Sequence, residues 1–285
     1  MDIASGLAVV TGGGSGMGRE LVVQLAAGGC DVATCDVHDA DLEATVALAS
    51  AGAPRARVTA HRCDVADEAQ VERFRDDVLA AHGRDSVNLL FNNAGVAGGY
   101  SFVTDDRADW DRTFAICWGG VYHCTRAFLP AILASDAGYI VNTSSVNGFW
   151  AALGPNVPHS AYSTAKFAVK GFSEALITDL RVHAPHVRVA VVMPGHVGTG
   201  IAGNTMRILA PDGDLDELAR QINDGFRAAA PVSASEAASI ILDGVRHDAW
   251  SILVGDDARA LDEAVRSDPL AAYGPDGLAL RSITG

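Results

Sequence analysis

Short apolar runs alternate along the chain with segments of helical periodicity. Continuous apolar runs are typical of strands buried on both faces, and the periodic segments between them are typical of amphipathic helices. Alternating β and α units predict a parallel sheet covered by helices on both faces. Right-handed crossovers then give a doubly wound α/β fold that binds its ligand at the carboxyl edge of the sheet. The predicted strands are Leu7–Thr11, Asp31–Asp36, Arg57–Cys63, Val87–Asn92, Tyr139–Thr143, Val187–Met193 and Ser251–Val254.

Two stretches depart from this alternation. Residues 196–232 contain Gly203, Pro211 and Gly213, which predicts a flap inserted between the sixth strand and the next helix. Residues 256–285 follow the last strand and include Pro269, Gly274, Pro275 and Gly277, which predicts a loosely structured or interface-forming tail. Because no repeat or linker divides the chain, we expect one domain over residues 1–285.

The first apolar run leads into a glycine-rich segment, Thr-Gly-Gly-Gly-Ser-Gly-Met-Gly, which is followed by a helical pattern. Backbone N–H groups at a helix N-terminus bind pyrophosphate, and glycines allow the phosphates to approach closely. A tight turn alone is the simpler alternative, but the preceding strand favours a dinucleotide site. The predicted cofactor-binding residues of this segment are Gly12, Ser15, Gly16, Met17 and Gly18.

Asp36 ends the second apolar run, about 20 residues after the glycines. A carboxylate at this position accepts hydrogen bonds from the adenosine ribose hydroxyls and repels a 2′-phosphate. No Arg or Lys lies between Glu20 and Pro54. The sequence therefore predicts NAD rather than NADP as the cofactor.

Tyr162 and Lys166 are four residues apart and share one face of a predicted helix. Free tyrosine has a pKa of about 10, which makes it a poor base at neutral pH, but a nearby ammonium favours the phenolate. The pair therefore indicates a general acid/base for a hydroxyl or carbonyl substrate. Ser144 and Ser145 follow the fifth strand, where serines are also common simply as turn residues.

These motifs, in this order, resemble the short-chain dehydrogenase/reductase family from about Ile3 to Val254. The resemblance implies a single-domain Rossmann fold and an NAD(H)-dependent oxidoreductase. The implied reaction interconverts a secondary alcohol and a ketone on a fairly apolar small molecule. It also implies a homo-oligomer, a tetramer or a dimer. A non-catalytic NAD-sensing protein and a non-redox relative of the epimerase or dehalogenase kind remain as alternatives.

The resemblance also assigns roles to individual residues. It implies that Ser145, the second serine of the pair, holds the substrate oxygen beside Tyr162. Lys166 is expected to lower the pKa of Tyr162 and to hydrogen-bond the nicotinamide ribose, so both residues also count as cofactor-binding. The further implied cofactor-binding residues are Asp64, Val65, Asn93, Ala94, Gly95, Pro194, Gly195, Val197 and Thr199.

The chain departs from the family pattern in two places. Sixteen residues separate Ser145 from Tyr162, more than is usual in the family, and the extra ones fall in the loop 151–160. Cys117 stands where the family usually carries an Asn that holds a water behind the Lys. We expect Cys117 to be a buried helix residue rather than a nucleophile.

Several other residues have two possible roles. His159 and His196 could touch the substrate, although loop histidines are more often solvated. A set of apolar residues could line the substrate pocket or pack the flap onto the domain. That set is Phe149, Trp150, Ile201, Met206 and Leu209.

Composition narrows the function classes. The net charge is −14, which argues against nucleic acid and anionic membranes as partners. No apolar stretch approaches the length that spans a bilayer, and no histidine spacing indicates a metal. Five cysteines without a C-x-x-C spacing favour a reducing cytoplasm. The expected partners are a small-molecule alcohol or ketone and further copies of the chain.

Overall fold

In a computed structural model of the chain, the described residues are 3–4, 6–209, 216–274 and 276–278. The strands are β1 (Leu7–Thr11), β2 (Asp31–Asp36), β3 (Val58–Arg62), β4 (Leu89–Asn92), β5 (Gly138–Thr143), β6 (Ala152–Gly154), β7 (Val157–Pro158), β8 (Val187–Pro194), β9 (Val197–Gly198), β10 (Val232–Ser233) and β11 (Ser251–Val254). The α-helices are α1 (Gly16–Ala27), α2 (Asp39–Gly52), α3 (Glu68–His82), α4 (Arg107–Phe114), α5 (Gly120–Leu133), α6 (Ser160–His183), α7 (Ile201–Leu209), α8 (Asp216–Ala228), α9 (Ala234–Arg246) and α10 (Asp256–Ser267).

Seven strands form one parallel sheet in the order β11-β8-β5-β4-β1-β2-β3. All seven strands predicted from the apolar runs are present, and their bounds differ from the prediction by two residues at most. The strand order reverses between β1 and β4, and such a reversal opens a crevice at the carboxyl ends of the strands. The doubly wound α/β fold with helices on both faces is therefore confirmed.

Side chains of each strand alternate between two apolar layers, as the two-residue period of a strand requires. In β1, Leu7 and Val9 belong to the layer formed with α3, α5 and α6, whereas Ala8 and Val10 belong to the layer formed with α1 and α9. All five residues of β1 are buried. This central position fixes the glycine-rich loop that follows it.

The segment after β8 contains α7 and α8, and its ends pair as the short parallel strands β9 and β10. Gly203, within α7, is buried and its N–H donates to the Asn223 side chain of α8 at 2.8 Å. Pro211 and Gly213 lie outside the described residues.

The segment after β11 is more ordered than the sequence predicts as far as residue 274. It forms α10 and a 3₁₀ turn over Ala271–Tyr273. Trp150 Nε1 donates to the Ala272 carbonyl at 3.3 Å, and the Ala151 N–H donates to the Tyr273 hydroxyl at 2.9 Å. The buried Trp150 side chain therefore packs against this C-terminal segment.

Two local features did not emerge from the sequence. Residues 115–119, between α4 and α5, form a π-helical turn that includes Cys117, and such turns are frequent at functional sites. The long loop before α6 forms a small antiparallel hairpin of β6 and β7. Within the described part of the chain, no helix combines the length and the apolar character needed to span a bilayer.

Candidate active site

The glycine-rich loop connects β1 to α1 at the carboxyl edge of the sheet. Gly16, the first residue of α1, has a φ of +53°, a conformation that favours glycine. A Cβ on Gly18 would lie 2.1 Å from the Gly12 carbonyl oxygen, so no larger side chain fits without a shift of the backbone. The loop therefore leaves the first N–H groups of α1 open to an anion.

An open crevice follows this edge of the sheet. Eleven of the predicted cofactor-binding residues line it, and they come from the loops after β1, β2, β3, β4 and β8. They are Gly12, Ser15, Gly16, Met17, Asp36, Asp64, Val65, Asn93, Ala94, Gly95 and Thr199.

Asp36 lies at the end of β2 beside the glycine-rich loop. Its Oδ2 accepts a hydrogen bond from the Gly14 N–H at 3.0 Å, and its Oδ1 accepts one from the Val37 N–H at 2.8 Å. Burial raises the pKa of Asp36, and these backbone donors oppose the rise. Arg19, just outside the stretch that lacks basic residues, donates to the Gly14 carbonyl and pairs with Asp41 at 3.6 Å.

Asp64 lies on the opposite side of the crevice, after β3. Its Oδ2 pairs with the Arg112 guanidinium at 2.7 Å, and its Oδ1 accepts from the Ala66 N–H at 3.0 Å. Arg112 itself lines the crevice. No local pattern in the sequence indicates this ion pair, because Arg112 is on α4, far along the chain.

Thr11 was not among the predicted residues, yet it holds the loop after β4. Its Oγ1 accepts the N–H groups of Asn93 and Ala94, both at 3.0 Å. The Asn93 side-chain amide donates to the Thr11 carbonyl at 3.1 Å. The threonine that ends β1 therefore fixes one wall of the crevice.

The two serines after β5 have different environments. Ser144 Oγ donates to the Lys166 carbonyl at 2.7 Å, so this hydroxyl is used inside the fold. Ser145 Oγ accepts from the Asn147 N–H at 3.1 Å, and its side chain lies near enough to the Tyr162 phenol to lower the pKa of that phenol. Ser145, not Ser144, is therefore the serine adjacent to Tyr162.

The expected lowering of the Tyr162 pKa is not found. Burial raises that pKa above its ordinary value, and the nearby Ser145 side chain, which lowers the pKa, only partly offsets the rise. Lys166 Nζ lies 5.3 Å from the centroid of the Tyr162 ring and donates to the Thr143 carbonyl at 2.7 Å. The ammonium is thus anchored on the backbone of β5 and makes no hydrogen bond with the phenol.

Cys117 packs beside Lys166 and Gly95. A Cβ on Gly95 would lie 3.6 Å from Lys166 Nζ and 3.7 Å from Cys117 Sγ, so the three residues are close neighbours. The thiol donates to the Val96 carbonyl at 3.2 Å, and burial raises its pKa. Burial also lowers the pKa of Lys166. A thiol held in this form is a poor nucleophile.

Of the two loop histidines, His159 is buried and His196 is half-buried. His159 is 4% exposed and stacks on the Tyr162 ring, with centroids 4.6 Å apart. The His196 N–H donates to the buried Asp257 carboxylate at 2.6 Å, and its ring contacts the Phe226 carbonyl at 3.0 Å. His159 is therefore beside the catalytic candidates, whereas His196 joins the segment after β8 to α10.

Six predicted cofactor-binding residues do not line the crevice. Gly18 packs against Gly12 beneath the loop. Tyr162 and Lys166 are buried next to the crevice. Pro194 and Gly195 lie at the β8–β11 edge, where the Gly195 N–H donates to the Val254 carbonyl at 3.0 Å. The sixth residue, Val197, is in β9.

Residues of α7 line the crevice without having been predicted as cofactor-binding. Ile201, Asn204 and Ile208 face it, and Asn204 Nδ2 donates to Ser15 Oγ at 3.0 Å. Ile201 therefore lines the cofactor crevice, and its place in a substrate pocket stays a prediction. Among the described residues, no group of three His, Cys, Asp or Glu side chains could hold a metal ion.

Comparisons with known proteins agree with this arrangement. Residues 6–207 match the family model of the short-chain dehydrogenases. SadH of Mycobacterium tuberculosis, which is named as an oxidoreductase, is 37% identical over 91% of this chain and 90% of its own length. Levodione reductase of Leifsonia aquatica is 33% identical over 72% of this chain and 74% of its own.

A solved structure shows the same fold. The short-chain dehydrogenase/reductase of Burkholderia phymatum, crystallised in complex with NAD, superposes with a TM-score of 0.84. It is 30% identical and covers 98% of this chain and 99% of its own. With the glycine-rich crevice and the Ser145–Tyr162–Lys166 arrangement, these matches show that the chain belongs to the short-chain dehydrogenase/reductase family of oxidoreductases.

Proposed function

We propose that the protein is an NAD(H)-dependent oxidoreductase that interconverts a secondary alcohol and a ketone on a fairly apolar small molecule. The observation that carries the proposal is that the Ser145 side chain lies beside the crevice, near enough to the Tyr162 phenol to lower its pKa. Two hydroxyl groups that face each other there can both reach one substrate oxygen. Because the fold alone does not identify the reaction, the proposal rests on these two side chains.

The crevice fits a dinucleotide. The open N-terminus of α1 suits a pyrophosphate, and the Asp36 carboxylate suits the ribose hydroxyls of an adenosine that lacks a 2′-phosphate. NAD in the Burkholderia phymatum relative supports this choice of cofactor. A bound nicotinamide would supply the hydride chemistry, accepting or donating the hydride at the substrate carbon.

The protein's own residues would orient the substrate and move the proton. Ser145 would donate a hydrogen bond to the substrate oxygen. Tyr162 would give its proton to that oxygen in ketone reduction and take it back in alcohol oxidation. Because burial raises the pKa of Tyr162, the phenol is the resting form and is suited to donate. Lys166, anchored on the Thr143 carbonyl, would carry the nearby positive charge.

We further propose that the protein forms a homo-oligomer through α5 and α6. Tyr122 on α5 and Phe167 on α6 are 40% and 42% exposed, so each helix carries an outward aromatic side chain. Such side chains are enriched at subunit interfaces. Light scattering after size exclusion should give the mass of two or more chains of 29.5 kDa each. The mass of a single chain at all concentrations would contradict the proposal.

A nicotinamide absorbance assay tests the proposed reaction. The protein would be mixed with NADH and a panel of ketones, and with NAD and the corresponding secondary alcohols, and each mixture would be repeated with NADP(H). We expect turnover in both directions with NAD(H). Tight NADH binding without turnover of any ketone or alcohol would instead support a non-catalytic NAD-binding role.

A further inference from the structure

Three aromatic rings form a continuous stack that ends at the candidate catalytic tyrosine. The rings of Tyr100 and His159 have centroids 5.0 Å apart and planes inclined by 17°. The rings of His159 and Tyr162 have centroids 4.6 Å apart and planes inclined by 16°. Tyr100 is 45% exposed and Tyr162 is 9% exposed, so the stack runs from the surface to the active site.

His159, the middle ring, is buried without polar partners. Among the described residues, neither of its ring nitrogens has a hydrogen-bond partner, although the Ala97 carbonyl is near enough to favour the protonated ring. Leaving a buried polar group unpaired typically costs about 1–3 kcal/mol. A phenylalanine would stack in the same place without that cost. The nitrogens therefore indicate a ligand that completes their hydrogen bonding.

The chemistry of the ring restricts that ligand. Burial lowers the pKa of His159 to about 4, so the imidazole is neutral at physiological pH. A neutral imidazole offers one N–H donor and one acceptor nitrogen. A carbonyl or hydroxyl oxygen is the neutral group that such a donor recognises, and binding it adds no charge to this buried site.

The burial of His159 does not separate it from the substrate. Ser145 and Tyr162, which must touch the substrate in the proposed reaction, are themselves only 7% and 9% exposed. Residues 97–100 lie between α7 and this stack: the Ala97 N–H donates to Thr205 Oγ1 at 2.8 Å, and the Tyr100 ring stacks on His159. In the proposed reaction, a substrate held at Tyr162 would lie one stacking distance, 4.6 Å between ring centroids, from His159.

We propose that His159 is a specificity-determining residue that donates a hydrogen bond to a second oxygen of the substrate, two carbons from the reacting carbon. The two oxygens of such a substrate are joined by two carbon–carbon bonds of about 1.5 Å and two carbon–oxygen bonds of about 1.2 Å. A segment of this length can reach from Tyr162 to His159, whose ring centroids are 4.6 Å apart. The substrate class is then a 3-oxo or 3-hydroxy carbonyl compound. This inference rests on the proposed function and adds the second oxygen to it.

The test compares two ketones that differ mainly in that oxygen. Methyl acetoacetate carries a carbonyl two carbons from the ketone, and hexan-2-one has a chain of similar length without it. Values of kcat/KM with NADH would be measured for the wild type and for His159→Phe, which keeps the stacked ring and removes both nitrogens. For each protein, the kcat/KM for methyl acetoacetate is divided by the kcat/KM for hexan-2-one. Comparing this ratio between the wild type and the variant cancels the intrinsic difference in reactivity between the two ketones.

We expect His159→Phe to lower that ratio by about tenfold or more, as for the loss of a buried hydrogen bond. Tyr100→Phe, which changes only the outer ring of the stack, should leave the ratio unchanged. His159→Leu decides the question if the first variant does not fold, as judged by circular dichroism and NADH binding. It should lower the ratio to a similar extent.

Three results would overturn the inference. If the nitrogen-free variants slow both ketones to the same extent, His159 only positions the Tyr162 ring. If the wild type turns over neither ketone and no other ketone of the panel, the proposed function fails and the inference fails with it. Turnover of hexan-2-one but not of methyl acetoacetate would support the proposed function. It would contradict the inference that His159 binds a second oxygen of the substrate.

Discussion

Lys166 Nζ lies over the ring of Tyr162, 5.3 Å from its centroid, and its hydrogen bond goes to the Thr143 carbonyl rather than to the phenol. The two buried groups respond oppositely to the loss of water: burial raises the pKa of the phenol and lowers that of the ammonium. Both shifts favour the uncharged forms. Before a cofactor binds, the pair is therefore set for proton donation rather than for proton abstraction.

This arrangement predicts a different pH dependence for the two directions of the reaction. Alcohol oxidation needs the phenolate, and because the pKa of Tyr162 is raised, its rate should increase from neutral pH into the alkaline range. Ketone reduction needs the protonated phenol, which stays the dominant form below the raised pKa, so its rate should stay level over that same range and decline only above that pKa. The measurement is kcat/KM against pH in both directions; an oxidation rate that falls as the pH rises would contradict the role of Tyr162.

Asp36 should determine cofactor preference. With the wild type, kcat/KM for NAD should exceed that for NADP by tenfold or more, equivalent to at least about 1.4 kcal/mol. Asp36→Ala should reduce the difference in kcat/KM between NAD and NADP. In the wild type, the Arg19 guanidinium contacts Gly14 and Asp41; in the variant, it would face the 2′-phosphate without the Asp36 carboxylate beside it. The double variant with Arg19→Ala should lose the gained NADP activity. Equal use of both cofactors by the wild type would contradict this role.

His159 should also make stability depend on pH. Unfolded, the ring takes up a proton near pH 6.5; folded, it does so only near pH 4. The unfolded state therefore binds more protons between these values, and the free energy of unfolding should fall as the pH drops through that window. Between pH 6.5 and pH 4, the free energy of unfolding should decrease by about 3 kcal/mol at most.

Urea unfolding at several pH values checks this prediction. The stability of His159→Phe should fall less steeply than that of the wild type between pH 6.5 and pH 4, since the substituted phenyl ring has no proton to bind. Parallel curves for the two proteins would show that the native ring protonates as readily as the unfolded one.

Cys117 should prove dispensable as a nucleophile. Cys117→Ser keeps a small side chain that can donate to the Val96 carbonyl, so most activity should remain. Cys117→Asn could raise turnover if the larger side chain fits, although overpacking typically costs about 1–3 kcal/mol. Complete loss of activity in a folded, NADH-binding Cys117→Ser variant would instead indicate covalent chemistry.

The sequence predicted those parts of the molecule that local patterns determine. The apolar run of β1 and the glycines after it specify a strand, a turn and a helix within a few residues. The four-residue spacing of Tyr162 and Lys166 likewise depends only on helical periodicity. These features also place the crevice, since the strand order follows from right-handed crossovers.

Contacts between distant segments could not be read in the same way. The burial of His159 depends on Tyr100, which belongs to another loop. The Asp64–Arg112 pair joins the loop after β3 to α4, and the order of the C-terminal segment depends on Trp150. The pKa of Tyr162 was expected to fall because its neighbour on the helix is charged, whereas the burial that raises it is a property of the whole fold.

The most direct test of the account is Tyr162→Phe. The substitution removes only the oxygen that transfers the proton, so NADH should bind as in the wild type, by fluorescence titration, while kcat falls by about 10²–10⁴-fold. Substantial residual turnover would mean that another group carries the proton, and His159, stacked 4.6 Å away, would be the first to examine. That result would contradict the assignment of Tyr162 as the acid/base.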